Sequence, residues 1–299
     1  MLSKGDHLEL DSSEVWPMKS QEGREYSVQI GYPRDWGAAS DPGIQVPVVY
    51  LTDGNAFFLT ALEALHRRLS AYQTGTAHGI VVAIGYPILP RSKDVFEYQR
   101  RQYDLTLPTP ETDVNEGGAE EFFTFINDRV RPFVHRRIKD TRGVSPGREA
   151  LYGHSLGGLF ALHNLFTHPD SFDCFIASSP SIWWHDKFIF EEARKFLKDR
   201  MQLAGKKSPS LMICVGSQEQ DPPHLHGEPD EQYAERQRKR NERHMIDNAF
   251  EMYCLLKPRA KLENIAYHVF EGEDHGTVMA CSLNRGMTTF FESWVYREH

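Results

Sequence analysis

Residues 148–158, Arg148-Glu-Ala-Leu-Tyr-Gly-His-Ser-Leu-Gly-Gly158, decide how the rest of the chain is read. An apolar run resembling a short buried strand ends at Gly153-His154-Ser155-Leu156-Gly157, and from Leu156 onward the pattern is helical. Only a sharp strand-to-helix turn can join the two. Gly153 and Gly157 make it possible because they lack the Cβ atoms that would collide where the backbone folds back. Such a turn carries Ser155 on its tip, hydroxyl outward, above the free N–H groups of a helix N-terminus. In that setting Ser155 reads as a nucleophile rather than as part of a plain glycine-rich turn.

The same alternation extends on both sides. Residues 25–32 alternate like a strand with one wet face, whereas Val46–Thr52, Ile80–Gly85, Phe172–Ala177, Ser210–Gly216 and Ile265–Phe270 read as strands. Helical spacing falls between them: Phe57 to Tyr72, Ala119 to Ile138 with Pro132 expected to kink it or begin a second helix, Asp186 to Leu203, a charged helix after Asp230, and Thr277 to Tyr296. Residues 33–43, 86–118 and 217–230 read as loops. Strands alternating with helices predict an α/β fold with a mostly parallel sheet covered on both faces. Ligands of such sheets sit beyond the carboxyl ends of the strands. The turns at Asp53, Ser155, Ser178, Gly216 and Gly272 all follow strands, which assigns them to one rim.

Composition excludes several classes. The chain has 299 residues, 40% hydrophobic and 25% charged, with a formal net charge of −8, which argues against a nucleic-acid or anionic-membrane surface. No run is long and apolar enough to span a bilayer, and the polar start Met1 to Leu10 lacks the apolar core of a secretory signal, so a cytoplasmic protein is expected. Cys174, Cys214, Cys254 and Cys281 show no paired metal spacing, and His224-Leu-His226 lacks a third ligand at suitable spacing. No metal and no cofactor are expected.

A serine hydroxyl needs a base, and histidine has the fitting proton affinity. Of fourteen histidines, His275 has the best address, in a glycine-flanked loop after the last strand. The orienting acid should follow the strand between serine and histidine. Glu219 fits, with Asp221 its close competitor, while Asp274 reads as solvated. Two N–H donors should face the oxyanion, one from Leu156 and the second from Asn55 in the Asp53-Gly54-Asn55 turn. Trp183 and Trp184 are either core or the wall of a substrate pocket. Arg100 and Arg101 are either a solvated face or holders of an anionic ligand.

Several stretches together carry a resemblance. Tyr50-Leu-Thr-Asp-Gly-Asn55, Arg101-Gln-Tyr-Asp-Leu-Thr106, Gly117-Gly-Ala-Glu-Glu-Phe122, Tyr152-Gly-His-Ser-Leu-Gly-Gly158 and Ala177-Ser-Ser-Pro-Ser-Ile-Trp-Trp184 resemble the esterase D-type family of α/β-hydrolases. Within that family the chain is similar to intracellular ferric-siderophore esterases, a group that acts on enterobactin, salmochelin and triacetylfusarinine C. The similarity spans residues 24–296, with departures at 34–43 and 219–264. It implies one hydrolase domain over 1–299, an N-terminal extension at 1–23, and segments 86–118 and 217–263 that shape the substrate site. It also implies Ser155 as nucleophile, His275 as base, backbone donors at Asn55 and Leu156, and a small-molecule ester substrate, with Glu219 dispensable in members that work as Ser–His dyads. The expected activity is siderophore ester hydrolysis that helps release iron. A general short-chain carboxylesterase and a binding protein on a disabled hydrolase scaffold are the alternatives.

Overall fold

A computed structural model describes residues 10–34, 45–71, 79–87, 94–200, 208–292 and 294. The expected helix ends at Tyr72, Leu203 and Tyr296, and most of the loop at 33–43, lie outside the described residues. Eight strands run in chain order as β1 (Ser13–Lys19), β2 (Glu25–Gly31), β3 (Gln45–Leu51), β4 (Ile80–Gly85), β5 (Ser145–His154), β6 (Cys174–Ser178), β7 (Ser210–Gly216) and β8 (Ile265–Phe270). They form one sheet in the order β1-β2-β4-β3-β5-β6-β7-β8. The pairs β1–β2 and β2–β4 are antiparallel, and every pair from β4 to β8 is parallel. The order of an α/β-hydrolase sheet is thereby reproduced.

Burial explains the strand sequences. Every residue of β4, β6 and β7 is buried, because helices cover both faces of the sheet and leave no wet side for alternation. Val48 and Tyr50 of β3 face one core cluster while Val49 and Leu51 face the other. The second cluster is closed by α1 (Gly54–Ala71) and α10 (Val278–Phe291). The first is closed by α3 (Ala119–Phe125), α4 (Arg131–Arg142), α5 (Leu156–Thr167), α7 (Ile189–Arg200) and α9 (Met245–Leu256). Fully burying a side chain the size of Val82 or Ile84 contributes roughly 1.5–3 kcal/mol.

Three local differences from the sequence expectation, and the helix break expected at Pro132, have physical causes. Residues 13–19, assigned to an extension, add β1 to the sheet edge, with Trp16 and Met18 packed against the core. The stretch 86–118, read as loop, contains α2 (Tyr98–Leu105), whose buried residues include the charged Arg101 and Asp104, so no apolar stripe announced it. Pro132 lies in the first turn of α4, and a π-helical segment, Ile126–Val130, precedes it. Pro132 has no N–H and its ring would crowd the carbonyl four residues back. The wider π-turn, in which the Arg131 N–H donates to the Ile126 carbonyl, relieves that crowding. Finally, the long charged helix is two helices. α8 (Asp230–Arg243) ends where His244 turns left-handed, with φ 45°, and α9 begins beyond it.

Candidate active site

All the chemically suggestive turns lie at the carboxyl ends of the parallel strands. Ser155 sits between β5 and α5 with φ 59° and ψ −115°, a conformation that costs a non-glycine residue about 1–3 kcal/mol. The turn is crowded. A Cβ on Gly153 would lie 2.0 Å from the Gly157 carbonyl oxygen, and one on Gly157 would lie 2.4 Å from Thr52 Oγ1. Glycine at both positions lets α5 start directly against the end of β3. The Ser155 N–H donates to the Ser178 carbonyl at 2.9 Å, and the Ser181 N–H donates to the Ser155 carbonyl at 3.1 Å. The strained tip is thus fixed from the neighbouring strand end.

Ser155 Oγ lies 3.1 Å from His275 Nε2, and His275 Nδ1 lies 2.6 Å from Glu219 Oε2. In the neutral imidazole consistent with these contacts, Nδ1–H donates to Glu219 and Nε2 accepts the serine proton. Glu219 is fully buried, and a buried carboxylate must be compensated. Its Oε1 accepts from the Gly216 N–H at 2.7 Å and from the Ser179 hydroxyl at 2.5 Å. Asp221, the competing acid, accepts instead from the Gln237 amide at 3.1 Å. Asp274 is no solvated bystander. Its Oδ1 accepts the Gly276 and Thr277 N–H groups at 2.7 and 2.9 Å, and its own N–H donates to Thr277 Oγ1 at 2.9 Å. That cap closes the loop carrying His275 onto the start of α10.

Leu156 is the first residue of α5 and Asn55 the second of α1, positions whose N–H groups have no acceptor within their own helix. The Asn55 side chain holds its turn in place. Its Nδ2 donates to the Tyr86 carbonyl at 2.9 Å, while its Oδ1 accepts the Tyr86 N–H at 2.7 Å. Asp53, left-handed at φ 52°, is gripped through both carboxylate oxygens by Arg101 Nε and Nη2 at 2.8 and 2.9 Å.

That grip corrects one reading. Arg101, expected to hold an anionic ligand, is buried and spends its fork on Asp53, so it braces the Asn55 turn instead. Trp184 is likewise a core side chain rather than a pocket wall, because the turn into α6 (Trp184–Lys187) points it into the first core cluster. Trp183 only borders that core, and the Arg243 guanidinium lies 4.8 Å above its ring.

Three residues at the site carried no sequence signal of their own. Ser179 bonds Glu219, Ser181 Oγ lies 3.2 Å from Ser155 Oγ, and His154 is buried with its ring 4.6 Å from that of His275. His154 Nδ1 lies 3.0 Å from Ser178 Oγ, and Ser178 is joined through Ser282 to Tyr152. Burial, the nearby His275 and Arg101 all push His154 well below the usual histidine range, so it stays neutral. Among the described residues no group of three or more His, Cys, Asp or Glu side chains is arranged to hold a metal, and no helix is long and apolar enough to cross a membrane.

Known proteins with this arrangement extend the description. Residues 20–255 match the esterase family model described as "Putative esterase". The chain is 43% identical over 289 residues to the siderophore triacetylfusarinine C esterase of Aspergillus fumigatus, covering 97% of this chain and 96% of that one. It is 42% identical over 288 residues to the siderophore enterobactin esterase of Emericella nidulans, covering 91% of each. The solved siderophore hydrolase EstB from Aspergillus nidulans superposes with a TM-score of 0.88 at 46% identity, over 99% of this chain and all of that one. A nucleophile-elbow sheet, a family match across most of the chain and near-full-length esterase relatives agree: the chain belongs to the esterase family and is a carboxylic ester hydrolase.

Proposed function

We propose that the protein hydrolyses the ester bonds of a siderophore, with Ser155 as nucleophile, His275 as base and Glu219 as the acid that orients it. The continuous chain from Ser155 Oγ through His275 to the buried Glu219 carries this reading. Ser155 Oγ attacks the ester carbonyl while His275 Nε2 takes its proton, and the imidazolium is stabilised by Glu219. The oxyanion rests on the Leu156 and Asn55 amides. As the C–O bond breaks, His275 returns the proton to the leaving alkoxide, and Ser155 is left acylated. His275 then deprotonates a water, which attacks the acyl carbon. The new carboxylate leaves and Ser155 recovers its proton.

The siderophore substrate is supported by relatives above 40% identity, named for a triacetylfusarinine C esterase and an enterobactin esterase. Cutting such esters separates chelating arms that the ester backbone had tethered. Each arm then competes for iron without the effective concentration of its neighbours, so the metal is released. We place this reaction inside the cell, where released iron is of use.

A fluorophosphonate probe followed by intact mass tests the nucleophile. One adduct on the wild type and none on Ser155→Ala is expected, and an equal adduct on the variant overturns the assignment. Ferric trihydroxamate and tricatecholate ester siderophores should be cleaved by the wild type. Intact siderophores beside rapid nitrophenyl ester cleavage would reduce the protein to a general carboxylesterase.

A further inference from the structure

Helix α8 carries five cations, Arg236, Arg238, Lys239, Arg240 and Arg243. Three are matched. Arg236 pairs with Glu228, Arg238 with Glu235 and Glu242, and Lys239 with Glu235. Arg240 and Arg243 have no carboxylate within ion-pair distance among the described residues. They stand one turn apart, so their side chains share one side of the helix.

Each of the two reaches a residue near the site. The Arg243 guanidinium lies over Trp183, two residues beyond Ser181, whose hydroxyl touches Ser155. Arg240 acts on Asp274, the neighbour of His275. Burial works against the Asp274 charge, while the Thr277 and Gly276 amides and Arg240 favour it and hold its carboxyl below the usual range. Burial and the adjacent Arg240 together push the Arg243 guanidinium down, as expected of two like charges sharing a site. All five cations, together with Glu231 and Glu235, line one cavity of about 890 Å³ along the helix. A solvated cationic face would explain any one of these arginines. It does not explain why Arg236, Arg238 and Lys239 are paired while Arg240 and Arg243, in the last turn of the helix, are not.

We propose that Arg240 and Arg243 form an anion-binding rim that selects esters carrying negative charge near the scissile carbonyl. For a siderophore esterase, on which this part of the inference rests, the rim separates two substrate classes. Ferric iron held by three catecholate dianions is a trianion, whereas ferric iron held by three hydroxamates is neutral. Paired guanidiniums attract the first and are indifferent to the second.

The test compares the wild type with the double variant Arg240→Gln/Arg243→Gln. For the ferric tricatecholate triester, KM should rise about tenfold in the variant with kcat unchanged, and added salt should erode the wild-type advantage. For the ferric trihydroxamate triester both parameters should stay as they are. Equal losses on the two siderophores, or no change on the tricatecholate, would overturn the rim. Should the wild type leave both siderophores intact, the siderophore reading fails by itself. Nitrophenyl hemisuccinate against nitrophenyl butyrate then decides the rim: a ratio of kcat/KM values that the double variant leaves unchanged removes it. Arg240→Lys/Arg243→Lys, which keeps the charge, should retain most of the preference for anionic esters, and its failure to do so would count against an electrostatic rim. Melting temperatures of all three proteins check that folding is intact.

Discussion

The protein contains two histidine–carboxylate assemblies built from the same groups with opposite burial. At the active site Glu219 is fully buried and the His275 side chain is 20% exposed. In the helical layer, His163 of α5 is 1% exposed and is clamped between Glu192 of α7 and Glu120 of α3, the latter 44% exposed. His275 gives one nitrogen to a carboxylate and keeps the other for Ser155. His163 gives Nδ1 to Glu192 at 2.8 Å and Nε2 to Glu120 at 3.0 Å. Both ring nitrogens must then carry protons. Burial opposes that charge, but the bonds to Glu120 and Glu192 outweigh it and raise His163 to about 9. A buried acid under a reachable imidazole makes a base; a buried imidazole between reachable acids makes a permanently charged rivet.

The strongest way to break this contrast is Glu219→Gln. The amide has nearly the same shape but no charge, so the imidazolium loses its stabilisation and His275 can adopt the wrong tautomer. A fall in kcat of about 10³–10⁴-fold, roughly 4–5.5 kcal/mol, is expected on a nitrophenyl ester, with KM close to the wild type. A loss below about tenfold would mean that Ser155 and His275 work as a dyad and that Glu219 only fills its pocket.

The contrast also marks what the sequence could reveal. Ser155, His275, Glu219 and Asn55 were addressable because a parallel sheet delivers every strand end to one rim. Reading the strands therefore located the turns without any distance. The rivet was not legible. His163 shares the helical spacing of Leu159, Leu162 and Phe166, and its partners lie 43 and 29 residues away on other helices. Helix α2 escaped for a related reason. It is held by the Arg101–Asp53 pair and the buried Leu105 rather than by an apolar stripe, and its mostly polar eight residues read as loop. Ser179 and Ser181 were visible only as turn residues. Their bonds to Glu219 and Ser155 depend on how that turn folds over the rim.

A second, smaller effect sharpens the rivet side. The folded His163 binds its proton up to about pH 9, whereas in the unfolded chain it does so only up to about 6.5. The stabilisation is therefore complete below about pH 6.5 and is lost as pH rises through 9. The shift corresponds to about 3 kcal/mol, which solvent screening at the half-exposed Glu120 trims to about 2 kcal/mol. At the acid end the sign reverses. The bonds from His163 and His168 outweigh burial and hold Glu120 far below the usual carboxylate range, so its share survives until pH falls well under 4.5. Urea unfolding of the wild type and His163→Gln should show a stability gap near pH 6 that shrinks by about 2 kcal/mol by pH 10. A gap independent of pH would show that His163 is held neutral and that the comparison with His275 fails.

The smallest expected effect tests a histidine that belongs to neither assembly. His154 lies between Phe57 and His275, with ring centroids at 6.2 and 4.6 Å, and it is tied to Ser178. It touches no reacting atom, so its contribution must pass through the placement of His275. His154→Phe keeps an aromatic ring in the slot and drops only the polar tie, leaving Ser178 bonded to Ser282. A loss of one such hydrogen bond is worth about 1 kcal/mol. The expected result is a kcat lowered about five- to tenfold at unchanged KM, with slower fluorophosphonate labelling of Ser155. A merely structural role would lower the melting temperature and leave the labelling rate of the folded protein alone. A mechanical one does the reverse, and labelling at the wild-type rate would place His154 with the packing rather than with the base it adjoins.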